Sequence, residues 1–294
     1  MTKAILRWSI PLFGLLAVGP LAGLCTIGLR ARDGSDSVTP MLAASPVLGI
    51  GMGLAAVLIA GGYGVIATWV NGIKSGLFTT GLVLAWATWG TGNMDDILRR
   101  SQSSAELWKL GAEGVIFGLL GLGLALVLWN VHERRLKMSV TLPDAGAAAP
   151  TVAVAERAKI RSQFIAAAGS STAVMAAVVW IAATEPTKGQ ALAAATIGAM
   201  LATAAGKWAA HHAPMVAYFV GAAVLGAAAP IAAKFYHGTD SGLVRAALGG
   251  TLFPLARLVP MDWLAGGFMG VPMGLSIASG LMESHQHQPH AQAS

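Results

Sequence analysis

Glu113 is the acidic side chain nearest the interior of a long apolar run. A carboxylate in hydrocarbon is costly, so such a group is a functional candidate by default, here as a proton or cation site facing a cavity. A second reading puts it at the water interface near the N-terminal region of a helix, partly paired with Lys109. Lys109 lies four residues before it, close enough to share a helix face. The spacing favours this interfacial reading.

His211 and His212 precede Pro214 in a short turn. Imidazole titrates near neutral pH and ligates metals. Two adjacent His residues make an incomplete metal site, and no apolar run supplies a third ligand, so a structural or interfacial role is expected. The polar stretch from Glu283 to His290 contains His285, His287 and His290. It could hold zinc, copper or nickel loosely, but its spacing matches no defined zinc motif, and a disordered tail is expected. Asp95 and Asp96 lack the further carboxylates that a Mg²⁺ site would need. Pro272 removes a backbone donor inside the last apolar run and is expected to kink it. Such a kink either frames a site or helps packing. Thr79, Thr80, Thr88, Thr91, Ser170, Ser171 and Thr172 are read as packing hydroxyls within spans. Gly49, Gly51 and Gly53 lie inside an apolar helix, not in a strand–loop–helix context, so they point to close packing and not to a phosphate loop. No catalytic motif, cofactor motif or metal set emerges.

The elements that carry these residues follow from composition. The chain has 294 residues, 55% hydrophobic and 11% charged. Soluble domains carry roughly 25% charged residues, so much of this surface must face lipid. Gly and Ala are abundant, as in packed membrane bundles. A net charge of +6 could suggest nucleic acid. The basic residues instead flank apolar runs, where they set topology, and no nucleic-acid partner is expected. The one cysteine, Cys25, excludes an intramolecular disulfide.

A helix needs about 20 apolar residues to cross the hydrocarbon core. Eight runs qualify as expected spans: Trp8–Leu29, Pro46–Val70, Gly76–Thr91, Gly114–Trp129, Phe164–Thr184, Gln190–Gly206, Met215–Ala233 and Trp263–Met282. The nine Trp lie near the proposed ends, as interfacial indoles should. The first run is too long for a signal-peptide core and is read as an uncleaved span. Ser103, Ser104 and Glu106 fit a capping box, so the fourth helix should begin near Ser104. Gly242–Val259, interrupted by Arg245 and Arg257, is too short between its two Arg to span and is read as interfacial or re-entrant.

The fold class expected is therefore all-α: a polytopic transmembrane helical bundle of about eight spans, arranged as two four-helix halves. Residues 1–137 form the first half, 138–159 a cytoplasmic linker, 160–282 the second half and 283–294 the polar tail. Arg134, Arg135, Lys137, Arg157, Lys159 and Arg161 place the linker in the cytoplasm. With even span numbers on each side, both termini are cytoplasmic, in a cell (inner) membrane. Gly114–Gly118 and Gly270–Gly274 both read Gly-Val-x-x-Gly, which suggests duplication or merely a Gly-rich chain.

The functional expectation is a channel- or transporter-like protein for a small solute or ion, because interrupted spans are where transporter sites lie. The alternative is a non-catalytic scaffold or subunit of a membrane complex. A lipid-processing enzyme ranks last. Expected partners are the bilayer, a small solute or ion, and a homo-oligomer or membrane-complex partner. The site candidates are Glu113, Lys109, His211, His212 and Pro272.

Overall fold

The computed structural model describes residues 2–36, 38–139, 154–185 and 187–286, and every regular element among these is helical. Most of the expected linker and the end of the His-containing tail lie outside the described residues. The chain opens with α1 (Thr2–Phe13), a π-helical turn over Gly14–Val18 and α2 (Gly19–Ile27). α3 (Pro46–Asn71), α4 (Ile73–Trp89), the short α5 (Met94–Ser101) and α6 (Ala105–Ser139) complete the first half. The second half holds α7 (Val154–Ala182), α8 (Lys188–Ala209), α9 (Val220–His237), the short α10 (Asp240–Leu248) and α11 (Pro260–Gln286).

Seven helical stretches are long and apolar enough to cross a membrane: Trp8–Ile27, Pro46–Asn71, Ala105–Met138, Lys159–Ala182, Lys188–Ala209, Met215–His237 and Pro260–Glu283. They coincide with seven of the eight expected runs. The remaining run is α4, a helix of 17 residues. At 1.5 Å per residue it is about 25 Å long, at the lower limit for crossing. It is largely enclosed: Leu77, Val83, Leu84 and Ala87 are fully buried.

Local chemistry sets the helix ends. Ser45 caps α3, its hydroxyl accepting from Leu48 N, and Pro46 follows at the first helical position, where a missing N–H costs nothing. Gly72, at φ +91°, reverses the chain between α3 and α4 in one residue. Thr239 Oγ1 accepts from Gly242 N at 3.0 Å to start α10. The expected capping box before α6 is replaced by a tighter turn. Ser103 Oγ accepts from Ala105 N, while Glu106 bonds Lys109 and does not reach back.

The succession of helices gathers residues 28–36, 38–45, 90–104, 183–185, 187 and 238–259 at one end, here called the loop end. Gly92 N donates to Val38 O there, and Lys188 reaches Gly92 O. Gly242–Val259 does not form a spanning helix. It contributes α10, a turn at Gly250 (φ +68°) and a 3-10 turn over Pro254–Arg257 to this layer. At the opposite end Arg135 donates to Thr68 O, and the beginning of α1 and the end of α11 lie at that end too.

Glycines let the two halves close on each other. A methyl group on Gly114 of α6 would lie 2.6 Å from Ala227 Cα of α9, and one on Gly81 of α4 would lie 2.6 Å from Met269 N of α11. Within the second half, α11 runs along α8 on Gly266, Gly270 and Gly274. Added methyls there would lie 2.8 Å from the Ala195 carbonyl carbon, 2.7 Å from Ala199 Cβ and 2.7 Å from Thr203 Cβ. Such approach supplies the dispersion contacts that hold helices together where lipid is as apolar as side chains. Gly49 and Gly53 serve the same end against Pro40 and Phe117, whereas Gly51 meets nothing.

Eight of the nine Trp are exposed on the outside of the bundle, as interfacial indoles should be. Trp263 departs from that expectation: it is 1% exposed and packs in the core. Its helix begins at Pro260, so the residue sits one turn inside α11 beneath the loop layer.

Replacing Gly270 by Val should destabilise the purified protein by about 1–3 kcal/mol through overpacking. Gly280→Val, at a position with open space around it, should change stability by less than half as much. Thermal unfolding of both variants in one detergent checks this.

Candidate functional site

The charged residues that the bundle buries converge at the loop end. Lys188 is the first residue of α8 and Asp262 lies in the first turn of α11. Lys188 Nζ stands 3.1 Å from Asp262 Oδ1, and the side chains are 9% and 1% exposed. Asp262 suits its position, because a helix N-terminus favours an anion, whereas Lys188 opposes the dipole of its own helix. The carboxylate and Gly92 O, at 3.2 Å, offset that opposition. Asp262 is saturated further. Its Oδ1 accepts from Thr88 Oγ1 of α4 at 3.1 Å, and its Oδ2 accepts from Val259 N at 2.9 Å, as the third residue of a helix does toward its N-cap.

Glu113 lies on α6, eight residues after its first residue, or about 12 Å along the axis. It is fully buried. Its Oε2 accepts from Thr39 Oγ1 at 2.7 Å and from Met41 N at 2.8 Å. Its Oε1 is buried with no hydrogen-bond partner among the described residues. Lys188 and Asp262 are close enough to act on its charge. The expected interfacial pairing with Lys109 is therefore corrected. Lys109 pairs with Glu106 at 3.0 Å on the exposed face, and the helix turns Glu113 inward.

The segment that binds Glu113 also walls a cavity. Val38, Met41, Leu42 and Ala43 line a space of about 260 Å³ at the loop end, with Arg32, Asp33, Arg100 and Lys109 around it. Met41 thus both donates to Glu113 and lines that cavity. The wall is pinned by Gly92 N to Val38 O, by Ala44 N to Arg30 O and by Arg100, which engages Ser35 and Asp33. Hydrogen bonds from Ser35 hold the exposed Asp33 carboxyl below the usual carboxylate range.

Arg257 ties the second half of the loop layer. Its guanidinium is buried and donates to the carbonyls of Ala183, Thr184, Gly250 and Leu252. The turn between α7 and α8 is thereby fastened to the turn before α11. Asp95 of α5 lies nearby with a 5% exposed side chain, 4.0 Å from Arg99. Burial holds its carboxyl above the usual carboxylate range, although Arg99 and Arg257 pull the other way.

Of the sequence candidates, only Glu113 belongs to the buried cluster. Lys109 lines the neighbouring cavity. His211 and His212 are exposed in the turn after α8 at the opposite end, where Lys207 donates to His211 O. Pro272 is buried midway along α11, and its carbonyl accepts from Ser276 Oγ at 2.9 Å. Among the described residues no three His, Cys, Asp or Glu side chains gather as a metal site. Sequence reasoning missed Lys188, Asp262 and Thr39 as parts of a site, while it read Thr88 as a packing hydroxyl, which its bond to α11 bears out, and Arg257 only as an interruption of an apolar run. The legible signal for Asp262 was a Pro followed two residues later by an acid at the start of an apolar run.

No family model, no curated protein and no solved structure matches this chain. The site's geometry must therefore carry the functional reading alone.

Removing one partner of a buried ion pair typically costs about 3–5 kcal/mol, whereas an apolar pair of similar size is often tolerated. Lys188→Met alone should therefore destabilise the protein more than Lys188→Met combined with Asp262→Leu, as read by unfolding in detergent. A second expectation concerns acid. Asp95 binds its proton more tightly folded than unfolded, so the stability it contributes is present below the ordinary carboxylate value and lost as pH rises through the folded value. Asp95→Asn should then be the more stable protein at about pH 7, with the difference closing toward about pH 4.

Proposed function

We propose that this protein is a transporter-like membrane protein for a small solute or ion, with Glu113 as a proton- or cation-binding group on its path. Glu113 carries the reading. It is a fully buried carboxylate on a membrane-length helix, with one oxygen held by Thr39 and Met41 and the other without a hydrogen-bond partner among the described residues. A buried carboxylate is costly unless a proton, a cation or a basic group compensates it. Lys188 is already committed to Asp262 and Gly92 O, which leaves the unpartnered Oε1 for a proton or a small cation. The Thr39–Met41 segment is a natural gate, because withdrawing it would open Glu113 to the cavity at the loop end.

In this reading α4 crosses as an eighth span, sheathed by its neighbours and so spared contact with lipid along most of its length. The basic cluster around the connection between α6 and α7 faces the cytoplasm, and both ends of the bundle's chain lie on that side of a cell membrane. A scaffold role is the second reading. It is favoured by the seam between α6 and α9, where Gly114, Gly118, Gly226 and Phe219 leave only about 10 Å³ of space.

The test is flux in proteoliposomes under imposed pH and cation gradients, using wild type and Glu113→Gln. Wild type should move protons or a cation above empty-vesicle background. Glu113→Gln, folded by size-exclusion chromatography, should lose about tenfold or more, equivalent to ~1.4 kcal/mol in the rate-limiting barrier. Background flux by wild type across a broad panel would leave the scaffold reading.

A further inference from the structure

We infer that the outer groove between α3 and α6 is a binding site for one anionic phospholipid, its acyl chain in the groove and its phosphate at the basic end of α6. This inference does not depend on the transport reading.

The two helices run in the same direction and in register. Gly53 meets Phe117, Gly61 meets Leu124 and Thr68 meets Arg135. Between these contacts lies an apolar groove of about 700 Å³, lined from Leu54 to Val65 on α3 and from Ile116 to Val127 on α6. Its floor is lowered at Gly62 and Gly123, where an added methyl would meet nothing within 4 Å. Its rims are apolar side chains that face outward, including Leu58 at 73% and Leu119 at 64% exposure. Each wall covers about 17 Å of helix axis, close to the ~15 Å hydrocarbon depth of a single leaflet.

One end of the groove carries the matching charge. Trp69 and Trp129, both half-exposed, stand about a turn apart on the two helices beyond this end of the groove and mark the interface. Just beyond them are Arg134, Arg135 and Lys74, with His132 beside Gly72. The neighbouring carboxylate, Glu133, is engaged by Trp129 Nε1 at 2.9 Å. Basic residues at the leaflet surface beside an intramembrane groove suit an anionic headgroup, and Arg can grip phosphate with two parallel N–H donors. An apolar chain alone would have filled such a groove without discrimination. The charge at its end selects the anionic lipid and sets which way it points.

The experiment is native mass spectrometry of the full-length protein in detergent with dioleoyl phosphatidylglycerol or dioleoyl phosphatidylcholine added at equal concentration. Wild type should retain one phosphatidylglycerol at least fivefold more than phosphatidylcholine. Arg134→Gln with Arg135→Gln should abolish that preference. Gly123→Leu, whose Cβ has open space around it and whose side chain occupies part of the groove, should reduce retention of both lipids at least fivefold while leaving the unfolding temperature in lipid-free detergent within a few degrees of wild type. Equal retention of the two lipids by wild type would overturn the proposal. So would unchanged retention in Gly123→Leu, or a dimer that only Gly123→Leu dissociates, since the groove would then hold a second copy of the chain.

Discussion

The constraint on which this structure turns is the cost of placing charge inside a bundle that has almost none to spare. Asp262 meets that constraint by collecting partners from separate parts of the chain. They are the hydroxyl of Thr88 on α4, the ammonium of Lys188 on α8 and the backbone N–H of Val259 before its own helix. Lys188 extends the set to Gly92 O. Each partner is useful only when the others are in place, because a half-satisfied buried network costs more than an apolar one. The pair therefore fixes where α4, α8 and α11 end relative to one another, and the loop layer is built over that fixed point. Arg257 repeats the principle on backbone oxygens, donating to four carbonyls among the described residues.

Glu113 differs in kind from this saturated pair. Its environment gives one oxygen two donors and leaves the other without a hydrogen-bond partner among the described residues. Ionisable groups inside membrane bundles are rare and almost always paired. The two carboxylates thus stand under one roof with separate tasks, Asp262 holding helices together and Glu113 facing the segment that walls the cavity.

The architecture was largely legible in the sequence because spans are written in composition: long apolar runs, interfacial Trp and short basic flanks all report burial in lipid. Seven of the expected runs became membrane-length helices, and the eighth became α4, a shorter helix of 17 residues. The site was less legible. Glu113 and Lys109 share a helix spacing that suggests a pair, but the orientation of α6 decides which partner each one meets, and that orientation comes from Gly114 and Gly118 packing on α9. The Lys188–Asp262 pair joins residues 74 apart, and no local pattern announces a partner at that distance. Trp263 was misplaced for a related reason: an indole near a span end is interfacial only if no loop layer covers it.

The enclosure of α4 bears on how the protein is made. This helix is short, carries Thr79, Thr80 and Thr88 among its buried residues, and closes against α11, which follows it far along the chain. Thr88 meets Asp262 across 174 residues of chain. Thr79 and Thr80 face Gly14 and Gly64 of earlier elements, but until α11 emerges the Thr88 hydroxyl lacks its final neighbour. The loop end of α4 is thus left unfinished until α11 has been made, and a chain cut short before Pro260 would bury the Thr88 hydroxyl without its carboxylate.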